Sequence, residues 1–297
     1  MVAVAAHTHD DVDWAARLPS MIMTDALQTA ALADVARRLV TTVRRAEPTI
    51  LDMGSGSGGM SAALAQSLAE RQGGTIVLVD AVPELLDAAT VAVKAAVGEN
   101  PSVRIESVLA DIADPELSRL APRADLVWAS GVVHHLPDQQ QAVDGLARLL
   151  LPGGVLAIAE GGLDTRSLPW DLGVGTPGLE GRLNAARDLW FRELRETMPG
   201  AVRMPYGWSV ALVNAGLGDI SAFTYVVDHP APTSDSVRHE ALDRLAWFQS
   251  IVADRLDAND VETLNALLDP AHEHYLGARR DVFLLSAHTV HRGRAGE

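Results

Sequence analysis

The sequence predicts an α/β fold whose parallel sheet is covered by helices on both faces. From residue 49 onward, short apolar runs alternate with longer amphipathic segments, which is the pattern of strands joined by crossover helices. The apolar runs cover residues 50–53, 75–79, 103–109, 124–129 and 154–159. The amphipathic segments between them cover residues 57–71, 83–97, 114–120 and 139–150. Because the runs are continuously apolar, we expect the strands to be buried on both sides.

An N-terminal segment, from about residue 12 to residue 45, predicts a helix that precedes the sheet. Its apolar residues recur at helical spacing, and Pro48 ends the segment. Pro19 marks a candidate break within it. With its flanks, this N-terminal region covers residues 1–48. It serves either as a lid over a ligand or as a dimer contact, and the sequence leaves both alternatives open.

The last region, residues 161–297, predicts the rest of the sheet together with helical insertions. Residues 161–177 are rich in Gly and Pro and predict a loop. Further strands are predicted at 220–227 and 282–290, and helices at 179–198, 208–215, 235–256 and 259–268. We expect the insertions at 161–205 and 232–280 to form lids over a substrate rather than independent domains. Residues 49–160 are then the ligand-binding core.

The composition excludes several classes of function. The chain has 24 Lys and Arg against 39 Asp and Glu, and its net charge of −15 argues against binding nucleic acid or an anionic membrane surface. The chain has no cysteine, which excludes disulfides, thiolate metal sites and a Cys nucleophile. The first residues lack the pattern of a secretory signal, and no apolar run of about 18 residues predicts a membrane span. We therefore expect a cytoplasmic protein that acts on a small molecule.

A glycine-rich loop follows the first predicted strand and opens the next helix. From Ile50 to Gly59 the sequence reads ILDMGSGSGG. Glycines at this place let the backbone turn tightly and approach a ligand, and the N-terminus of the helix offers free N–H groups. The loop fits both G-x-G-x-G and the dinucleotide pattern G-x-G-x-x-G. A tight strand–helix turn without a ligand is the plainer alternative.

Three carboxylates at strand ends decide between the cofactors. Asp52 lies two residues before the first glycine, where it can pair with a cationic amino group that a pyrophosphate lacks. Asp80 ends the second strand and can accept both hydroxyls of a ribose, which NAD would also require. Asp111 follows the third strand and can accept a hydrogen bond from the amine of adenine. A ligand with an amino-acid end, a ribose and an adenine is S-adenosylmethionine.

Five motifs occur in one order along the core. They are LDMGSGSG at 51–58, VLVDAVPELL at 77–86, LADI at 109–112, ADLVWASGVVHHLPD at 124–138 and LLPGGVLAIAE at 150–160. In this order and spacing, residues 49–160 resemble a class I S-adenosylmethionine-dependent methyltransferase of the small-molecule, natural-product type. The resemblance implies a Rossmann-like three-layer sandwich with a seven-stranded, mostly parallel sheet, an antiparallel last strand and helical lid insertions.

The resemblance also implies which residues bind the cofactor, with S-adenosylhomocysteine as the product. The nine positions are Asp52, Gly54, Ser55, Gly56, Asp80, Ala81, Asp111, Ile112 and Ser130. The first four would hold the methionine moiety. The next two would contact ribose and adenine, and the following two would close over the base. Ser130, at the end of the fourth strand, would lie near the sulfonium.

Methyl transfer to a hydroxyl needs a base near the acceptor, and His134, His135 and Glu160 are the candidates. Histidine has an ordinary pKa of about 6.5, which suits removal of a proton from an alcohol or phenol. Several natural-product O-methyltransferases of the family use a His at this motif. The alternative is that the pair only packs or bonds to backbone. Glu160 would orient a histidine or contact the acceptor, its alternative being a solvated carboxylate.

Aromatic and histidine residues elsewhere give weaker indications. Five aromatics, which would suit a flat or apolar acceptor but more simply pack in a core, are Trp170, Trp190, Phe191, Tyr206 and Trp208. His272 and His274 point apart on a helix, and we expect no metal site there. The pair His7 and His9 lies in the N-terminal tail.

The leading hypothesis is a methyltransferase that acts on oxygen of a small molecule. N- or C-methylation of a small acceptor stays open, although residues 129–132 lack the Asn/Asp-Pro-Pro-Tyr signature of nucleobase and amide N-methylation. A protein that binds the cofactor without methylating is an alternative, and a nicotinamide-dependent oxidoreductase is a third. The Ala- and Arg-rich composition, with Lys94 as the only lysine, suggests a GC-rich bacterial source and secondary metabolism. We expect a small-molecule acceptor as partner, no nucleic acid and no membrane, and a homodimer is an open alternative.

Overall fold

The computed structural model describes residues 13–297, so His7 and His9 lie outside the described part. The strands are β1 (Thr49–Met53), β2 (Gly74–Asp80), β3 (Val103–Leu109), β4 (Ala124–Ser130), β5 (Leu150–Arg166), β6 (Gly218–His229) and β7 (Leu284–Arg294). The helices are α1 (Trp14–Val40), α2 (Gly59–Ala69), α3 (Pro83–Val97), α4 (Leu117–Leu120), α5 (Gln139–Arg148), α6 (Leu179–Thr197), α7 (Trp208–Asn214), α8 (Asp235–Val252) and α9 (Ala258–Leu268). Short 3-10 turns cover Val133–His135, Ala253–Arg255 and Leu276–Ala278.

The strands of this described part form one seven-stranded sheet in the order β3-β2-β1-β4-β5-β7-β6. Strand β1 pairs in parallel with β2 and β4, while β2 pairs in parallel with β3 and β4 with β5. At the end of β7, the Ala295 N–H donates to the Gly154 carbonyl and the Gly153 N–H donates to the Gly296 carbonyl. In these two hydrogen bonds the residue numbers rise along β7 while they fall along β5, so the last strand is antiparallel to β5. The predicted α/β sandwich with a mostly parallel, seven-stranded sheet is confirmed.

Helices cover both faces of the sheet because its central strands are apolar throughout. Strands β2 and β4 are almost entirely buried, as the uninterrupted apolar runs predicted. On one face, α1, α2 and α3 contribute Leu39, Leu64 and Val93 to a single apolar cluster. On the other face, α5 and α7 contribute Val143 and Leu212 to a second cluster. The carboxyl ends of the parallel strands are thereby held in a fixed frame.

The structure differs from the predicted boundaries at three places. Helix α1 continues through Pro19 and ends at Val40 rather than near residue 45. The cost of the proline inside the helix is offset by the packing of the helix's apolar face in the core. Strand β5 continues to Arg166 through glycines that had predicted a loop. Beyond its end the Phe283 N–H still donates to the Ser167 carbonyl, which shows that the neighbouring chain segment sustains the extended backbone.

The described chain forms two compact units. The first runs up to Gly161 and includes Met198–Tyr225 and His288–Glu297. The second consists of Gly162–Thr197 and Val226–Ala287, with α6, α8 and α9. Within the second unit, Arg182 forms a two-point ion pair with Asp260, at 2.6 and 2.7 Å. That the predicted insertions at 161–205 and 232–280 act as lids stays a prediction.

Candidate active site

The glycine loop lies between β1 and α2, at the carboxyl end of β1. Gly54 has a φ of 74° and Gly58 a φ of 94°, values in the left-handed region that side chains avoid. A Cβ at Gly54 would lie 2.5 Å from a methyl of Val132, and one at Gly58 would lie 2.5 Å from the backbone of Ala89. Only glycine therefore lets the loop turn so closely against the neighbouring elements.

Asp52 is buried directly before this loop. Its Oδ2 accepts a hydrogen bond from the Ser61 hydroxyl, which α2 places beside it. Burial raises the pKa of Asp52 to about 7, and the negative charges of Asp80 and Asp25 add to the rise. A carboxylate in this state is stabilised by any cation that reaches its second oxygen.

Asp80 is the last residue of β2, and Asp111 follows the neighbouring strand β3. Asp80 accepts the Gly56 N–H at 2.9 Å and the Val82 N–H at 3.0 Å, and burial raises its pKa. The Asp111 side chain accepts the Ala113 N–H at 2.8 Å, which fixes the turn after β3. Both carboxylates are thus oriented by backbone groups before any ligand is present.

Two cavities meet at the loop, and both lie within the first compact unit. The first has a volume of about 400 Å³ and the second about 420 Å³. Residues that line both are Met21, Gly54, Gly56, Ser130 and Gly131. This arrangement provides a bipartite site, with room for one end of an elongated ligand on each side of the loop.

The structure brings every predicted site residue to these cavities. Those lining the first are Asp52, Gly54, Ser55, Gly56, Ser130, His134 and Glu160. Those lining the second are Gly54, Gly56, Asp80, Ala81, Asp111, Ile112, Ser130 and His135. The placement agrees with the predicted division between an amino-acid end and a nucleoside end, while the individual roles stay predictions.

Glu160 contacts both the backbone and a histidine of the turn that follows β4. Its Oε1 accepts the backbone N–H groups of Val132 and Val133, at 3.0 and 2.8 Å. Its Oε2 lies 2.7 Å from Nδ1 of His134. Because a carboxylate only accepts hydrogen bonds, Nδ1 carries the proton in this pair, and in the neutral form of the ring Nε2 is then the basic nitrogen.

The two adjacent histidines face different cavities. His134 lines the first cavity and His135 the second, although their ring centroids are only 3.7 Å apart. The 3-10 turn that carries both rings produces this separation. The geometry therefore distinguishes two residues that were equivalent candidates in the sequence.

Residues 51–156 match the family described as a methyltransferase domain. The match covers the glycine loop, the aspartates Asp52, Asp80 and Asp111, and the turn that carries His134 and His135. Residues 51–156 are a methyltransferase domain.

Curated relatives match this domain rather than the whole chain. A ubiquinone biosynthesis O-methyltransferase from Xylella fastidiosa (strain M23) is 33% identical over 110 residues, which are 37% of this chain and 40% of that protein. The same-named protein of strain 9a5c is 32% identical over the same length. The chain thus spans about two fifths of the length of the curated relatives it matches.

Solved structures resemble the chain more distantly. The YcgJ protein from Bacillus subtilis is 19% identical, with a TM-score of 0.47 over 90% of this chain and 99% of that one. A SAM-dependent methyltransferase from Thiobacillus denitrificans, in complex with S-adenosylhomocysteine, is 17% identical, with a TM-score of 0.44 over 88% and 90%. At these values neither structure bears on the reaction of this chain.

Several residues that line the two cavities were not predicted from the sequence. Helix α1 contributes Met21, Asp25, Gln28 and Leu32 to the first cavity. Their spacing of three or four residues puts them on one face of the helix, and this periodicity was the signal that could have found them. The polar members were not recognised because a charged or amide residue on a helix usually faces solvent.

Tyr225 on β6 and His288 on β7 were also missed. Their rings stack with centroids 5.0 Å apart and planes inclined by 22°, and both line the first cavity. Burial raises the pKa of Tyr225 to about 12 and lowers the pKa of His288, so both side chains are neutral near pH 7. No sequence motif predicts this pair, because Tyr225 and His288 lie on strands that are far apart in the sequence.

The five aromatics singled out from the sequence lie elsewhere in the described chain. Trp170 is 74% exposed, and Trp190 packs edge-on against Trp247 at 6.3 Å. The Tyr206 hydroxyl donates to Gln140, and Trp208 packs against the second apolar cluster. None of the five lines either of the two cavities.

Two further searches cover the described residues only. Among residues 13–297, no three His, Cys, Asp or Glu side chains cluster closely enough to hold a metal ion. In the same part of the chain, no helix combines the length and apolar character needed to cross a bilayer.

Proposed function

We propose that this protein is an S-adenosylmethionine-dependent O-methyltransferase of an uncharged small molecule. The single observation that carries the proposal is the Glu160–His134 pair, which lines the first cavity. It supports oxygen as the acceptor atom because a hydroxyl, unlike a neutral amine, must lose its proton during transfer. The name of the curated relative, an O-methyltransferase, agrees with this choice.

The residues of the site fit the proposed cofactor. The second cavity offers Asp80 and Asp111 to the ribose and the adenine, and the first offers Asp52 to the amino-acid end. The buried carboxyl of Asp52, with one oxygen bound only to Ser61, is the observation that supports a cationic ligand here. The cofactor supplies an electrophilic methyl group on a positively charged sulfur.

The protein's own groups would then handle the acceptor proton. Glu160 holds the Nδ1–H of His134, so that Nε2 accepts the hydroxyl proton as the acceptor oxygen takes the methyl group. Glu160 stabilises the resulting imidazolium, since the carboxylate stays 2.7 Å from the ring nitrogen. Ser130 and Gly131 lie where the two cavities join and would position the reacting groups.

Charge and ring stacking support a neutral, planar acceptor. Of the described residues that line the two cavities, none is Lys or Arg, while Asp25, Asp52 and Glu160 all line the first. An anionic acceptor would be repelled by these carboxylates. The stacked rings of Tyr225 and His288 offer an uncharged aromatic surface to a flat molecule. A phenolic product of bacterial secondary metabolism fits this chemistry and the Lys-poor composition.

The test is transfer of an isotopically labelled methyl group to a panel of acceptors. The panel contains phenols, hydroxylated polyketides, short alcohols, amines and carboxylates, and mass spectrometry locates the label. We expect labelled methyl ethers of phenols, with S-adenosylhomocysteine formed in equal amount. A labelled amine would contradict oxygen as the acceptor atom. A labelled methyl ester would contradict an uncharged acceptor. Binding of S-adenosylmethionine without turnover of any acceptor would favour a protein that uses the cofactor without methylating.

A further inference from the structure

A second carboxylate reaches the first cavity from the N-terminal helix. Asp25 lies on α1, and its Oδ2 accepts the Ser57 hydroxyl at 2.6 Å and the Gly59 N–H at 2.9 Å. Helix α2 begins at Gly59, and the residue before it is a glycine that offers no capping side chain. Asp25 therefore caps α2 from another element of the fold.

The capping oxygen is only half of this carboxylate. No described residue donates a hydrogen bond to Oδ1 of Asp25, although the residue lines the cavity. A cap alone needs one neutral acceptor, which a Ser or Asn at the helix start provides. The negative charge of Asp25 and its second oxygen, to which no described residue donates, are therefore not explained by capping.

Asp52 repeats this arrangement in the same cavity. Its Oδ2 accepts the Ser61 hydroxyl, and no described residue donates to its Oδ1. Asp52 is 3% exposed, burial raises its pKa, and the negative charges of Asp80 and Asp25 add to the rise. Two carboxylates that repel each other, each with one open oxygen, form a site for a cation. None of the described residues lining the cavity is a Lys or Arg that would neutralise them.

We propose that Asp25 adds a second carboxylate to the ammonium site already assigned to Asp52, so that the N-terminal helix takes part in binding the methionine end of the cofactor. This inference rests on the proposed function, because it assigns a further residue to the same cofactor. The ammonium is the group that both open oxygens can accept, since it carries three N–H donors. Asp80 and Asp111 lie in the other cavity, which leaves the first cavity for the charged end of the ligand.

The inference predicts that Asp25 distinguishes ligands by their amino-acid end. The substitution Asp25→Asn keeps an oxygen for Ser57 and Gly59 and removes the charge. Isothermal titration with the full-length protein would compare S-adenosylhomocysteine, which has the ammonium, with 5′-methylthioadenosine, which lacks the whole amino acid. We expect about a 10- to 100-fold weaker Kd for S-adenosylhomocysteine, from loss of one charge-assisted bond, and less than about a twofold change for methylthioadenosine.

The matched control is Asp34→Asn on the same helix. Asp34 is exposed, pairs with Arg37 and lines neither cavity, so its loss removes one α1 carboxylate without touching the site. Equal weakening of both ligands by Asp25→Asn would show that Asp25 only holds the loop, and unchanged binding would show that it has no role. Either result overturns the inference. Failure of the wild-type protein to bind S-adenosylhomocysteine would instead refute the proposed function.

Discussion

The two cavities share one glycine loop but hold their carboxylates differently. In the second cavity, both oxygens of Asp80 accept backbone N–H groups, from Gly56 and Val82. In the first, Asp52 and Asp25 each have one bonded oxygen, and no described residue donates to the other. A carboxylate whose charge is spread over two N–H groups suits uncharged hydroxyls, whereas an open oxygen suits a cation. One loop can therefore separate the neutral end of a ligand from its charged end.

The largest expected effect concerns the adjacent histidines, which face different cavities. His134→Ala removes the proposed base, and we expect kcat to fall by about 10²- to 10⁴-fold. His135→Ala alters the second cavity, so the KM for the cofactor should rise while kcat falls less than about tenfold. Steady-state kinetics with the acceptor found by label transfer would measure both. A similar loss of kcat in the two variants would remove the functional distinction between the cavities.

A smaller effect should separate Asp52 from Asp80. Asp52→Asn should weaken the Kd for S-adenosylhomocysteine by about 10- to 100-fold and spare 5′-methylthioadenosine, because only the former carries an ammonium. Asp80→Asn should weaken both ligands, since both contain the ribose. Calorimetric titration of the two variants with the two ligands gives four comparisons. If Asp80→Asn spared methylthioadenosine, the second cavity would not be the nucleoside end.

A further effect is on the stability of the unliganded protein. Asp52 has its pKa raised to about 7 by burial and by the charges of Asp80 and Asp25, with Ser61 opposing the rise. Between the ordinary pKa of an Asp and pH 7, the folded state therefore retains a proton that the unfolded state has lost. Stability falls as pH rises through this window and is level above it. Asp52→Asn should remove this fall.

We accordingly expect Asp52→Asn to unfold at nearly the same denaturant concentration as wild type near pH 4. At pH 8 the variant should be more stable by about 2–4 kcal/mol, an order-of-magnitude figure from the raised pKa. Urea unfolding at the two pH values provides the comparison, with the exposed Asp34→Asn as control. If the difference in stability between the variant and wild type were the same at pH 8 as at pH 4, the charge of Asp52 would already be compensated in the folded protein.

The sequence predicted those parts of the site that are local in the chain. The glycine loop, Asp52 and Asp80 follow directly from strand ends, because parallel strands bring their carboxyl ends to one edge of the sheet. The seven-stranded sheet and its antiparallel last strand came from the resemblance and were confirmed. By contrast, the continuation of β5 to Arg166 depends on pairing with a segment more than a hundred residues away, which local glycines could not indicate.

The sequence could not predict what distant elements contribute. Asp25 reaches the loop only because α1 packs beside α2, and Tyr225 meets His288 only because β6 and β7 are neighbours. Nor could the sequence separate His134 from His135, since that depends on a 3-10 turn held by Glu160. The missed residues are those whose place is set by tertiary packing.

Glu160 has a consequence for protein engineering. The same carboxylate accepts the backbone of Val132 and Val133 and holds the ring of His134. A redesign that alters it would change the shape of the turn and the orientation of the base in one step. Tyr225 and His288 line the same cavity from β6 and β7, outside that turn, and they are therefore the positions at which we would change the acceptor range of the proposed reaction.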